Sequence, residues 1–178
     1  MNWWSRAIID VGLYQKMKES HKILWTYISG FIARQNIFSI LEVGGGLVSD
    51  FKHASPVYQA IDINERTDAI HEDFTLMDVS WIKGFDLLLA CAVIEHCDGY
   101  ENFIKQAIAT KSKYIIITFF NGLNRKENFP STQTKYGSTY IWNKYSLNKL
   151  TDFMNTLGVR FEIERLGKRD SVLIIYDS

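Results

Sequence analysis

The feature that most constrains this chain is Ile37-Phe38-Ser39-Ile40-Leu41-Glu42-Val43, a short apolar run that stops at Gly44-Gly45-Gly46. So short a run, stopped by glycines, reads as a buried strand. The glycines behind it allow a tight turn in which the backbone approaches a ligand closely. Similar runs follow. Val57 to Ile63 is a second strand after Pro56, Ala69-Ile70-His71 a weaker third, Phe85 to Ala92 a fourth and Tyr114 to Phe120 a fifth. The fourth is almost wholly apolar, as a parallel strand covered on both faces should be.

Helical periodicity fills the spaces. Leu24, Ile28, Phe31 and Ile32 recur at helical spacing, and an earlier helix is predicted over Ser5 to Ser20 with Ile8, Ile9, Leu13 and Met17 apolar. Tyr100, Phe103, Ile104, Ala107 and Ile108 follow the i, i+3, i+4, i+7, i+8 rule. Ser146 is the predicted N-cap of a helix that turns Leu147, Leu150, Phe153, Met154 and Leu157 inward and stops at Gly158. Two strands close the chain, Val159 to Leu166 and Ser171 to Tyr176. The turn Gly167-Lys168-Arg169-Asp170 between them is long enough only for an antiparallel hairpin.

Strands alternating with helices predict an α/β fold, a doubly wound and mostly parallel sheet of seven strands with the antiparallel hairpin at its carboxyl-terminal end. One link strains that scheme. Only residues 63–68 lie between Asp62 and Ala69, whereas a parallel crossover normally needs a dozen or more. Either the second crossover helix is missing, or the third strand is displaced or vestigial. No Pro/Gly/Ser-rich linker divides the chain, so residues 1–178 read as one domain. Within it, 1–36 form amino-terminal helices over the site, 37–178 the α/β core, and 121–145 a lid segment.

Charge and cysteine content narrow the setting. Lys+Arg 20 against Asp+Glu 20 argues against a chain living on nucleic acid, which demands a basic face. The longest clean apolar run, Leu87 to Ile94, is far short of the ~20 residues that span a bilayer. No secretory leader is recognisable, and two cysteines make no disulfide framework. A reduced cytoplasmic location is the expectation, with no membrane partner.

Asp62 ends the second strand 18 residues beyond Gly44. In doubly wound sheets an acid ~20 residues past the glycine turn accepts hydrogen bonds from ribose hydroxyls. The alternative is that Asp62 merely caps a loop. A nicotinamide fingerprint would place a third spaced glycine on the following helix, but Val48 and Ser49 stand there.

The pattern Glu42-Val43-Gly44-Gly45-Gly46 resembles motif I of the class I S-adenosylmethionine-dependent methyltransferases. The likeness extends through Ala60-Ile61-Asp62-Ile63, through Glu72-Asp73-Phe74, and through the Phe85 to His96 run with its Glu95-His96 ending, which is typical of the branch acting on small molecules. The closing hairpin is similar to that family's reversed last strand. The resemblance implies S-adenosylmethionine as cofactor and S-adenosylhomocysteine as product. It implies a cofactor set of Glu42, Gly44, Gly45, Gly46, Asp62, Ile63, Asp73, Phe74, Cys91 and Glu95, with Asp73 meeting the adenine amino group and Phe74 flanking its ring.

Methyl transfer to a hydroxyl needs a base, and His96, at the carboxyl end of the fourth strand, is the candidate. Its alternative role is to shape the pocket or bind a loop. A zinc reading of Cys91, His96 and Cys97 has no paired Cys-x-x-Cys to support it. Acceptor recognition is assigned to the long polar and aromatic segment holding Asn121, Arg125, Tyr136, Tyr140 and Trp142. Its basic residues Arg125, Lys126, Lys135 and Lys144 hint at an anionic metabolite or glycan precursor.

Methyl transfer to an oxygen or nitrogen of a small acceptor is therefore the expected function. Its rivals are a non-catalytic subunit of the same fold that binds the cofactor, and a nicotinamide-dependent oxidoreductase. An amino-methylating nucleic-acid enzyme would carry Asn/Asp-Pro-Pro-aromatic where Ala92-Val93-Ile94-Glu95 stands. Monomer and homodimer both remain open.

Overall fold

The computed structural model describes residues 11–45, 51–52, 54–64, 68–119, 124–129, 131–135, 138–167 and 170–176; the side chains of 11–22, 124–126, 129, 133–135 and 138–140 lie outside the description. Among the described residues one helix, α1 (Val11–Arg34), runs unbroken past Ser20, the expected end of the first helix; positions 5–10 of that expected helix lie outside the described residues. Neither proline nor an effective cap interrupts the segment around Ser20, so the two periodic stretches join. The helix stops at Asn36, which takes a left-handed φ of 51° while the Ile37 N–H returns to the Ile32 carbonyl at 3.1 Å. Asparagine is one of the few residues that ends a helix this way without glycine.

Five parallel strands follow: β1 (Ser39–Val43), β2 (Val57–Asp62), β3 (Ala69–His71), β4 (Leu87–Ala90) and β5 (Tyr114–Phe119). The helix α2 (Tyr100–Ala109) links the last two. After a polar stretch come α3 (Leu147–Leu157), β10 (Arg160–Leu166) and β11 (Asp170–Tyr176). The seven strands lie in the order β10-β11-β5-β4-β1-β2-β3, and β11 pairs antiparallel with both β5 and β10. This is the expected sheet with its terminal hairpin.

The third strand is real but brief. It pairs parallel to β2 with Asp62 opposite His71, and the described residues of the 63–68 link contain no helix. The ring Nε2 of His71 lies 2.9 Å from the Ile63 carbonyl, tying the short link to the strand it leads into.

Alternation along the strands builds two cores. Leu41, Val43, Ile61, Leu88, Ala90, Ile115 and Ile117 pack under α2 and α3 with Phe103, Ile104, Leu150 and Met154. Ile40, Leu87, Leu89, Ile116, Val172 and Ile174 face the other way, onto Ile28, Phe31 and Ile32 of α1 and onto Phe51. All of β4 is buried, as its composition predicts. The capping of α3 is as expected: Ser146 Oγ accepts from the Lys149 N–H, and Gly158 takes φ 65°. Its inward face is narrower than expected, because Leu147 is 40% exposed while Leu150 and Met154 are buried. No helix among the described residues is long and apolar enough to cross a membrane.

The amino-terminal edge of the sheet is held by Asp86. Its Oδ2 accepts from the backbone N–H groups of Phe38 (2.8 Å) and Ser39 (3.0 Å) and from Ser39 Oγ. The Asp86 N–H donates to Ser39 Oγ in return at 2.9 Å. This pairs the first residues of β1 and β4.

Candidate functional site

The opposite, carboxyl-terminal edge gathers most of the sequence candidates. Gly44 follows β1 with φ 70°, and its N–H donates to the Ile61 carbonyl at 2.8 Å. A Cβ added there would lie 2.5 Å from Val93 Cγ2, so glycine is required by both its conformation and its neighbour. Gly45 is half-buried beside it; Gly46 lies outside the described residues. Two residues before Gly44, on β1, Glu42 is 3% exposed and accepts a 2.5 Å hydrogen bond from the Tyr58 hydroxyl. That is the length of a charge-assisted bond. Tyr58 is a partner the sequence reading missed. The signal was there in principle, since β1 and β2 run in parallel register and both residues face the same side.

Asp62 closes β2, 3% exposed. Its Oδ1 accepts from the Asn64 N–H (2.8 Å) and from Asn64 Nδ2 (2.9 Å), so the loop-capping role considered for it is realised. Ile63 beside it is 64% exposed, an apolar side chain left in the open at the strand's end. Asp73 begins a tight turn: Oδ1 accepts from the Thr75 N–H and Oγ1, and its carbonyl accepts from the Leu76 and Met77 N–H groups. Phe74, which the resemblance sets beside an adenine ring, is a core residue here. It is 4% exposed with its ring centroid 5.1 Å from that of Phe103 on α2. An apolar ring behind a strand end is buried by the amphipathic helix that follows.

Cys91 lies just past β4 rather than in it, half-buried toward the α1 side. The chain breaks from the strand at Ala92, whose φ is 53° and whose N–H donates to Thr118 Oγ1 at 2.9 Å. It then makes one 3-10 turn, Ile94–His96, with Glu95 only 2% exposed. His96 Nδ1 lies 2.7 Å from the Ile141 carbonyl. A carbonyl oxygen only accepts, so Nδ1 carries the proton and Nε2 presents its lone pair. Nε2 is itself shielded from solvent. Burial holds the His96 pKa below its ordinary value, and the Ile141 carbonyl opposes that in part. The imidazole is thus neutral near pH 7, the state a general base needs. The ring packs edge-on against Trp142, with centroids 5.1 Å apart. Next to it the Cys97 thiol is pushed up to about 12, by burial first and then by the Asp73 and Glu95 carboxylates. It is a poor nucleophile there.

The expected lid is built from strands. β6 (Asn124–Phe129) pairs with β9 (Lys144–Ser146), and β7 (Thr132–Lys135) with β8 (Ser138–Ile141), all antiparallel. Asn121 and Tyr136 lie outside the described residues, as do the side chains of Arg125 and Tyr140. Trp142 is half-buried against His96. Tyr145 is one of the aromatic residues of the lid segment, whereas the sequence assigns Asn143 no role; both are buried and both bond to the turn that carries His96. Their polar atoms answer to carbonyls 46 and 51 residues earlier, and no local pattern announces such a pairing.

A sheet with this strand order, one reversed strand next to the last parallel one, and a glycine turn after the first strand is the Rossmann-like fold of the class I methyltransferases. No family model and no curated protein matches the chain. Solved structures do match it. DhpI in its SAH complex superposes with a TM-score of 0.72 at 12% identity, over 98% of this chain and 93% of that one. The 1,6-didemethyltoxoflavin-N1-methyltransferase of Burkholderia thailandensis, solved with 1,6-didemethyltoxoflavin and S-adenosylhomocysteine, gives 0.58 at 11% identity over 100% of this chain and 91% of that one. The glycopeptide N-methyltransferase MtfA, complexed with S-adenosylhomocysteine, gives 0.59 at 8% identity over 84% and 87%. At these identities the likeness is one of fold.

Proposed function

We propose that this chain binds S-adenosylmethionine at the carboxyl edge of β1, β2 and β4 and transfers its methyl group to an oxygen or nitrogen of a small acceptor. The observation that carries the reading is the Gly44–Val93 contact. It packs the bare backbone of the glycine turn directly against the segment after β4, where a Cβ would collide with Val93, and the buried carboxylates of Glu42 and Asp62 lie beside it at the ends of β1 and β2. Those features fit a ligand that carries ribose hydroxyls and an amino-acid portion. Glu42, Gly44 and Asp62 would hold it, and the exposed Ile63 offers an apolar surface for a base ring.

When bound, the cofactor supplies a methyl carbon already activated on a sulfonium centre. The protein's part is then to position, to exclude water and to move one proton. Neutral His96 takes the proton that the acceptor's oxygen or nitrogen sheds, at Nε2, while Nδ1–H stays on the Ile141 carbonyl. The neighbours named as a 1,6-didemethyltoxoflavin-N1-methyltransferase and a glycopeptide N-methyltransferase support a nitrogen acceptor. The basic residues of the 121–145 segment support a negative charge on it.

Calorimetry with S-adenosylhomocysteine tests the reading. Saturable binding is expected for the wild type and weaker binding for Asp62→Ala. Absence of binding at millimolar ligand, or an Asp62→Ala variant that binds like wild type, sinks it. A cofactor-binding subunit without catalysis is favoured by one observation, the shielding of His96 Nε2 from solvent. That reading expects binding without transfer of label to any acceptor tried.

A further inference from the structure

Every residue of the turn after β4 is tied to one short stretch of the β8–β9 connection. The Tyr145 hydroxyl donates to the Ile94 carbonyl at 3.0 Å. The Asn143 backbone N–H donates to the Glu95 carbonyl at 2.8 Å. The Ile141 carbonyl accepts from His96 Nδ1 at 2.7 Å. The Asn143 side-chain amide donates to the Cys97 carbonyl at 2.7 Å.

Asn143 is 7% exposed and Tyr145 5% exposed, so these bonds form largely out of reach of water. A lost donor would leave a poorly hydrated carbonyl with a weaker partner. Asn143 supplies two of the four contacts, and they fall on the residues either side of His96. A residue whose flanking carbonyls are both held has little freedom to rotate. Its ring therefore meets the Ile141 carbonyl in one orientation. The elaboration that the sequence presents as a lid works, at this point, as a clamp on the turn.

We propose that Asn143 is a positioning residue that locks His96 in the Nδ1–H tautomer and so keeps Nε2 as its proton-accepting atom. The proposal deepens the methyl-transfer reading and matters to turnover only if that reading holds. The titratable groups packed around this turn are Cys97, Glu95, Asp73 and Tyr145, with Glu101 close enough to act on Tyr145. The Cys97 thiol and Tyr145 hydroxyl are both pushed upward, chiefly by burial, and stay neutral near pH 7.

Nitrogen-15 NMR of the histidine rings tests the proposal on the full chain, with a His96→Asn sample to assign the signals. The wild type should show one neutral tautomer of His96, protonated on Nδ1. Asn143→Leu keeps the bulk of the side chain and removes its donor; a mixture of the two tautomers is expected. Tyr145→Phe removes the bond to the Ile94 carbonyl and the hydroxyl that accepts from the Asn143 amide at 3.2 Å, but leaves the Asn143 bond to the Cys97 carbonyl in place, and should keep the wild-type tautomer. A single unchanged tautomer in Asn143→Leu overturns the proposal, and so does mixing in Tyr145→Phe, which would mean general loosening. If Asn143→Leu does not fold, Asn143→Ser decides by the same signals, being polar but too short to reach the Cys97 carbonyl.

Titrating the same samples with S-adenosylhomocysteine separates the two ideas. A wild type that binds none removes the methyl-transfer reading and leaves the tautomer result standing by itself. With an acceptor in hand, Asn143→Leu should lower kcat about tenfold and leave KM for the methyl donor unchanged.

Discussion

Gly44 and Val93 meet across the carboxyl edge of the sheet so closely that a Cβ on Gly44 would fall 2.5 Å from one Val93 methyl and 3.0 Å from the other. This contact joins the glycine turn after β1 to the segment after β4 that leads to His96. Valine is β-branched and short, so neither methyl can swing far aside. Gly44→Ala therefore combines an overpacked contact with a left-handed φ of 70°. A loss of about 2 to 4 kcal/mol in urea unfolding is expected, with at least tenfold weaker binding of S-adenosylhomocysteine. Adding Val93→Ala should recover the packing part and leave about 1 kcal/mol for the backbone conformation. A double variant no better than Gly44→Ala would show that the methyl contact is not the cause.

Asp62 offers a sharper test of ligand binding, because its two possible roles separate. Its Oδ1 is engaged by Asn64 through both backbone and side chain. If the carboxylate only caps that loop, Asp62→Asn and Asn64→Ala should lower the melting temperature alike and leave ligand affinity alone. If it also receives ribose hydroxyls, Asp62→Asn should weaken S-adenosylhomocysteine by tenfold or more, since hydrogen bonds to a charged acceptor are worth about 1.5 to 3 kcal/mol. Asn64→Ala should then cost stability with little change in affinity. Calorimetry on the two variants side by side discriminates.

These residues also show what a sequence can and cannot disclose. Gly158 and Ser146 act within a few positions of themselves, and their caps on α3 were legible. The β4 run, buried on both faces, was legible because burial writes itself directly into composition. The four strands between 124 and 146 were not, for they are short, polar and paired only in ribbons, so neither alternation nor apolar content marks them. The missing break near Ser20 in α1 has a similar origin, since periodicity locates a helical face but says little about where a helix stops. At the site, the positions of Gly44 and Asp62 at strand ends came from local order, whereas Tyr58, Asn143 and Tyr145 enter through contacts between distant segments. Phe74 shows the same division: its place after β3 was readable, but its packing against Phe103 of α2 was not.

His96 carries the pH dependence. Burial lowers its pKa in the folded chain below the unfolded value of about 6.5. Between those two values the unfolded chain binds more protons than the folded one, so stability rises with pH. The stabilisation is fully present above about pH 6.5 and is lost as pH falls through the folded pKa. Melting temperatures measured from pH 7.5 down to pH 5 should therefore drop more steeply for the wild type than for His96→Gln, which has nothing to protonate there. Equal slopes would place the imidazole in a solvated environment and remove the basis for its role as a neutral base. If the protein turns over an acceptor, the same protonation should set the acidic limb of kcat, with rate lost as pH falls through the lowered pKa of the folded chain rather than at the ordinary histidine value.

The Asp86 knot at the other edge of the sheet predicts the opposite division between stability and binding. Its Oδ2 accepts two backbone N–H groups and the Ser39 hydroxyl, and its own N–H returns to Ser39 Oγ. Asp86→Ala removes the acceptor for all three donors, of which the Ser39 pair is partly buried and cannot fully rehydrate. A loss of about 1 to 3 kcal/mol is expected in urea unfolding. Ser39→Ala removes only the hydroxyl and should cost less than Asp86→Ala. Because β1 and β4 run parallel, this knot lies at the far end of both strands from Gly44 and Val93, with Ile40 opposite Leu87 and Glu42 opposite Leu89 in between. Below the melting transition, affinity for S-adenosylhomocysteine should then stay within about twofold of wild type, as expected for sites that share no partner. A large loss of affinity in folded Asp86→Ala would mean that tension at the amino-terminal edge is transmitted along β1 and β4 to the glycine turn. The sheet would then have to be treated as one element in any account of the site.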